Sequence, residues 1–121
     1  MLNLFQHPWR GNDLIMQARN PCTYILASQT RGTLYIGVTS DLPARIWQHR
    51  SGDLAGFTSR YRVYRLVHAE FFADMMRAIA REKQLKRWHR AWKIKLVDEA
   101  NPEWRDLAVA WGLAEPVHHG P

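Results

Sequence analysis

Residues 22–48, CTYILASQTRGTLYIGVTSDLPARIWQ, leave few ways for this chain to begin folding. Residues 23–27 and 33–38 are rich in strand formers, and Gln29-Thr30-Arg31-Gly32 between them is a turn. The pattern predicts an antiparallel hairpin. Thr39-Ser40-Asp41 then offers N-cap oxygens, and Pro43 falls in the first turn of a helix running to about Arg50 and stopping at Ser51-Gly52.

The rest of the chain follows the same logic. Residues 51–60, SGDLAGFTSR, form a loop with two glycines, and Val63, Leu66 and Val67 mark a third strand near 63–70. A helix is predicted from Ala73 to about Trp88, and another from about Arg90 to Glu99, ended by Asn101-Pro102. Residues 104–114 suit a last short helix. The order β-β-α-β-α-α describes an α/β (α+β) layer, a three-stranded antiparallel sheet flanked by helices. Residues 1–20 read as an N-terminal extension, with Met16 as an alternative start. The folded domain is set at 21–107, and 108–121 form a tail whose end, EPVHHGP, is expected to be mobile.

A chain of 121 residues holds one core. Its single cysteine, Cys22, excludes an internal disulfide and a cysteine-rich zinc site. No apolar run is long enough to span a bilayer and no signal peptide is recognisable, so a cytoplasmic protein without membrane contact is expected. The net charge of +6 favours a polyanionic partner. From residue 81 to 95 there are seven Lys or Arg and one acid, with Trp88 and Trp92 interleaved at i,i+4. Lys83, Lys86, Arg87, Arg90 and Lys93 are the candidate nucleic-acid contacts, because cations neutralise phosphates. Aromatic faces stack bases, but the two tryptophans are expected to pack inward as core.

Three local patterns suggest chemistry. The hairpin brings Tyr24 and Tyr35 onto neighbouring strands, an arrangement that on spacing alone is ordinary packing. Arg45 and His49, four apart, share a helix face at the edge of an apolar stripe made by Leu42 and Ile46; such a pair is commonly a solvated surface. Glu82 falls within the helical face shared by Met75, Ala78, Ile79 and Leu85, where a carboxylate requires a salt-bridge partner or a cation.

Together these pieces resemble the GIY-YIG nuclease domain, in its small stand-alone bacterial form. Tyr35-Ile36-Gly37 matches the second half-motif intact. Cys22-Thr23-Tyr24 stands at the first, keeping only the tyrosine. Thr39-Ser40-Asp41-Leu42 with Arg45 resembles the family's arginine helix, His49 matches a histidine of some members, and Glu82 matches the metal-binding glutamate. Asn101-Pro102-Glu103-Trp104 also resembles the stand-alone group. The similarity spans about residues 21–107.

The resemblance implies a Mg²⁺-dependent (or Mn²⁺-dependent) endonuclease cleaving DNA in repair or recombination; RNA stays open as a partner. Its catalytic residues would be Tyr24, Tyr35, Arg45, His49 and Glu82, the last as metal ligand. Tyr24 is expected to act as general base, with Arg45 lowering its pKa from the ordinary value of about 10 or clamping the phosphate. A chain this short has little room for a specificity domain, which leaves target choice to DNA shape, to a homodimer or to a protein partner. The altered first half-motif leaves a second reading, a catalytically impaired, sequence-independent nucleic-acid-binding module. A third is a basic protein that docks an acidic partner.

Overall fold

The computed structural model describes residues 18–51, 56 and 60–114. The sequence expectations for residues 1–17, including Met16, for most of the 51–60 loop and for the final EPVHHGP lie outside the described residues.

The expected sheet forms. Strands β1 (Cys22–Ala27), β2 (Leu34–Thr39) and β3 (Arg65–Phe71) are all antiparallel, in the order β2-β1-β3. The hairpin turn closes through Ser28 N–H donating to Thr33 O at 3.0 Å and Gly32 N–H to Gln29 O at 3.0 Å. In this register Tyr24 opposes Gly37 and Leu26 opposes Tyr35. The β1–β3 pairing carries an irregularity between Ile25 and Leu26, so Ile25 pairs with His68 and Leu26 with Leu66. The extra residue is Val67, and beyond it His68 and Glu70 share one face by ordinary strand alternation.

Among the described residues four helices cover the sheet: α1 (Leu42–Ser51), α2 (Met75–Arg87), α3 (Arg90–Ala100) and the short α4 (Leu107–Ala110). Asp41 caps α1, its side chain accepting from Ala44 N–H at 3.2 Å, while Thr39 Oγ1 accepts from Asp41 N–H at 3.0 Å. Asp74 caps α2 by accepting from Arg77 N–H at 2.8 Å.

The two faces of β1 divide the core. Cys22, Tyr24 and Leu26 pack with Leu42 and Ile46 of α1, with Leu66 and Phe71, and with Leu107 and Ala108 of α4. Ile25 and Ala27 pack on the other face with Leu85 of α2, Val97 of α3 and Trp104. Ala18, ahead of β1, belongs to the first cluster, and Trp111, Leu113 and Ala114 lie against it.

The last helix is shorter than the 104–114 expected from sequence. Trp104 adopts a left-handed backbone, φ 52°, and is fully buried, with its indole N–H donating to Asp98 Oδ1 at 2.6 Å. Asn101 holds the bend open: its Nδ2 donates to Val67 O and Arg105 O, and its Oδ1 accepts from Arg105 N–H. Helix geometry resumes only after Asp106, whose carboxylate accepts from Ala108 N–H.

Candidate active site

Tyr24 leaves β1 with its ring lying across Gly37 of the neighbouring strand. A Cβ built on Gly37 would stand 2.4 Å from Tyr24 Oη and 2.5 Å from Cζ, so only glycine leaves the ring this path. Tyr24 and Tyr35 are diagonal neighbours on one face, their ring centroids 6.4 Å apart. The apolar stripe of α1, Leu42 and Ile46, is buried as expected and turns His49 toward both tyrosines. His49 is itself buried rather than solvated, 5.9 Å from Tyr24 and 5.4 Å from Tyr35 between ring centroids. Tyr24 Oη and His49 Nε2 are hydrogen-bonded at 2.9 Å.

The protonation of this pair follows from its surroundings. Burial, and then the positive charge of Arg45, hold the His49 imidazole down to about pKa 4, so it is neutral at physiological pH. In the tautomer that carries its proton on Nδ1, the neutral Nε2 accepts and Tyr24 O–H donates. Burial pushes the Tyr24 phenol up, and nearby Tyr35 pushes in the same direction; Arg45 pulls down but is outweighed, and Cys22 and Glu82 add to the rise. The expectation that Arg45 lowers the Tyr24 pKa enough for a phenolate is therefore corrected: desolvation is larger than the attraction of one guanidinium, and Tyr24 is a protonated phenol.

Glu82 sits on the sheet-facing side of α2 with its side chain 16% exposed, and Lys86 Nζ lies 3.6 Å from its carboxylate. Its charge is felt by Tyr24, which links α2 to the tyrosine–histidine cluster. Among the described residues no three His, Cys, Asp or Glu side chains come together as a metal cage. A lone, mostly sheltered carboxylate suits a hard cation that keeps several waters, such as Mg²⁺ or Mn²⁺, and does not suit a zinc centre.

The altered first half-motif is absorbed by the fold. Cys22 and Thr23 are both fully buried. Thr23 Oγ1–H donates to Ala78 O of α2 at 2.6 Å, tying β1 to the helix that carries Glu82. Cys22 is an inert thiol, its pKa driven up by burial.

The five basic candidates divide. Lys83 and Arg87 are exposed on α2, and Lys86 is drawn to Glu82. Lys93 is half-buried. Arg90 donates to two carbonyls of the β1–β2 turn, Arg31 O at 2.5 Å and Gly32 O at 2.7 Å, and so braces α3 on the hairpin. Of the tryptophans expected in the core, Trp88 is half-buried against the second cluster, but Trp92 is 56% exposed. It stands in the first turn of α3, beyond the reach of the sheet.

Sequence reasoning missed a buried ionic group beside the site. Glu70 on β3 accepts from Arg81 Nε at 2.9 Å and Nη2 at 3.2 Å, and pairs with His68 Nε2 at 2.7 Å. Burial opposes the charge of Glu70, but the hydrogen bonds from His68 and Arg81 win and hold its carboxyl below the usual range. A histidine and a glutamate inside the otherwise apolar run RLVHAEF were the available signal.

Comparison with known proteins agrees with this architecture. The family model of the GIY-YIG catalytic domain matches residues 20–95. A UPF0213 protein of Staphylococcus saprophyticus is 37% identical over 68 residues, 56% of this chain and 83% of the relative. One from Syntrophus aciditrophicus is 37% identical over 81 residues, 66% and 91% of the two chains. One from Bacillus pumilus is 34% identical over 88 residues, 73% and 89%. No solved structure matches.

Proposed function

The chain belongs to the GIY-YIG family, and from that premise we propose that it is a divalent-metal-dependent endonuclease hydrolysing DNA, with Tyr24, Tyr35, Arg45, His49 and Glu82 as its catalytic set. A nuclease-type domain implies a nucleic-acid substrate; DNA in particular, a role in repair or recombination, and a cytoplasmic site of action complete the reading. No helix among the described residues is long and apolar enough to cross a membrane. The observation that carries the proposal is the buried 2.9 Å hydrogen bond between Tyr24 and His49, made where Tyr35, Arg45 and Glu82 also act.

Glu82 is the residue that would hold Mg²⁺ or Mn²⁺. Such an ion, when bound, stabilises charge on the phosphoryl oxygens and on the departing oxygen. Arg45, on the exposed rim of the cluster, clamps the phosphate through its planar guanidinium. Tyr24 donates its proton to His49, which leaves the Oη lone pairs to accept one from water. The pair is thus a relay: Oη takes the water proton as Nε2 takes the phenolic one. Phosphate bound at Arg45 cancels part of the charge that depresses His49 and raises its proton affinity when it is needed. Tyr35 packs against both rings and fixes their orientation.

The reading of an impaired binding module rests on Cys22 and Thr23. Both are accommodated without moving Tyr24 from His49, and this supports the enzyme instead. The test is incubation with supercoiled and branched DNA, with Mg²⁺ or with EDTA, beside Glu82→Ala. Metal-dependent cutting that disappears in the variant is expected. Cutting that survives in clean Glu82→Ala protein would remove Glu82 from the site, and salt-sensitive binding without any cutting would favour the binding module.

A further inference from the structure

At the junction of α2 and α3 the protein exposes an aromatic recess outside the catalytic cluster. It has a volume of about 300 Å³ and is lined by Trp88, Trp92, Lys95, Leu96 and Glu99, at the low end of pockets that hold small planar ligands. Trp92 and Trp88 meet edge to face at 5.9 Å, and His89 meets Trp92 in the same way at 5.4 Å. The Trp92 ring is therefore braced by two aromatic neighbours, while more than half of the residue faces solvent. Beside the half-buried Trp88 and over an open recess, the exposed indole offers an amphipathic aromatic surface of the kind enriched at interfaces.

The surroundings say which partner. Lys95 is exposed on the rim of the recess, and Lys83 and Arg87 stand on the preceding helix. The whole chain carries +6. The recess also lies within two helical turns of Glu82 along the chain. Glu82 and Trp88 are six residues apart along α2, about 9 Å of helix rise. Arg81, next to Glu82, sets its guanidinium 5.0 Å from the centre of the Trp88 ring. A strand lying along α2 with a phosphate at Glu82 reaches the recess within about three nucleotides.

We infer that this recess receives an unpaired nucleobase of the substrate, stacked on Trp92, so that the protein selects DNA with a single-stranded segment beside the scissile phosphate. The inference deepens the nuclease reading and rests on it for the nature of the strand. Stacking is tolerant of base identity, because every base has a π face. Glu99 repels a phosphate at the mouth but accepts from the exocyclic amine of a base, which orients the base inward and the backbone outward. A base paired inside a duplex cannot enter, so blunt duplex gains nothing from the recess.

The experiment measures binding in EDTA, where no cleavage interferes. The full chain is titrated with a duplex bearing a single-stranded overhang that contains 2-aminopurine, and with the same duplex blunt-ended. Wild type should quench the probe and bind the overhang duplex more tightly. Trp92→Ala should lose the quenching and at least about fivefold in overhang affinity. Blunt-duplex affinity should stay unchanged, and Trp92→Phe should keep most of the overhang preference. Because Trp92 is exposed, the variant is expected to fold, and circular dichroism checks it. Overhang binding indifferent to Trp92→Ala, or an equal loss on both DNAs, overturns the inference and leaves the recess to a protein partner. Wild type that stacks through Trp92 yet never cuts in Mg²⁺ would instead sink the nuclease reading and leave the recess standing.

Discussion

Gly37 lies directly under the ring of Tyr24, so close that a single added methyl would stand 2.4 Å from the phenolic oxygen. The glycine is thus a clearance through which one strand lends its tyrosine to the partner helix of the next. Gly37→Ala must move the Tyr24 ring off His49. The expected result is a drop in cleavage of about 100-fold, with a stability loss of only about 1–3 kcal/mol from overpacking. Single-turnover rates beside urea unfolding separate the two effects. A wild-type rate in folded Gly37→Ala would show that the position of the ring does not matter.

The Tyr24–His49 bond also predicts a pH response. His49 titrates at about 4 in the fold, against 6.5 in its unperturbed state. Between those values the unfolded chain holds the extra proton, so stability rises with pH. The contribution is complete above 6.5, shrinks as pH falls from there, and is gone below 4. It amounts to about 3 kcal/mol. Urea unfolding from pH 7 to 4 should show wild type losing more stability than His49→Gln, whose amide keeps an acceptor for Tyr24 without titrating. Parallel curves for the two proteins would count against a neutral, buried His49. The acid limb of kcat/KM should correspondingly lie well below pH 6.

These features differ in how far they could be read in advance. The hairpin and its capped helix are local: strand formers, turn residues and an Asp41 cap lie within thirty residues of one another, and each supports the same pairing. The arginine–histidine helix and the position of Glu82 follow from period alone. What period cannot supply is the competition between burial and charge. Arg45 does lower the Tyr24 pKa, but the ring sits beneath α1 and desolvation outweighs one cation. Trp92 is exposed for a related reason. Hydrophobicity favours burial, yet α3 meets the sheet side of the core chiefly through Val97, and its first turn overhangs. The left-handed turn at Trp104 depends on Asn101 reaching Val67, a strand away. The β3 acid group depends on Arg81, which arrives from a helix eleven residues later.

That acid group is itself testable. Glu70 is buried and satisfied by His68 and a two-bond contact from Arg81, whose own side chain is 21% exposed. Removing the carboxylate leaves a guanidinium that can partly rehydrate, so Glu70→Gln should cost about 1–3 kcal/mol, short of the full cost of stranding a buried ion. The carboxyl is held below its ordinary 4.5, so its contribution is present above that value and fades as pH falls through the folded pKa. Urea midpoints at pH 7 should separate wild type from Glu70→Gln, and the gap should narrow below pH 4. A variant as stable as wild type at pH 7 would mean that burial of Glu70 already cancels its partners.

The basic residues of α2 and α3 should not behave alike toward DNA. Lys83 and Arg87 face solvent, and each is free to displace a condensed counterion from a phosphate. Alanine at either should weaken binding on every sequence and flatten the plot of log affinity against log salt by about 0.9. Arg90 spends its guanidinium on the carbonyls of Arg31 and Gly32, which fastens α3 to the hairpin turn. Arg90→Ala should leave the salt slope nearly unchanged and lower the unfolding free energy instead, by about 1 kcal/mol for the bonds lost. Fluorescence anisotropy on a duplex between 50 and 200 mM salt, about the range over which phosphate contacts are resolved, measures the slopes directly. If Arg90→Ala flattened the slope as much as Lys83→Ala, its turn contacts would be incidental and the residue would belong to the DNA-binding face.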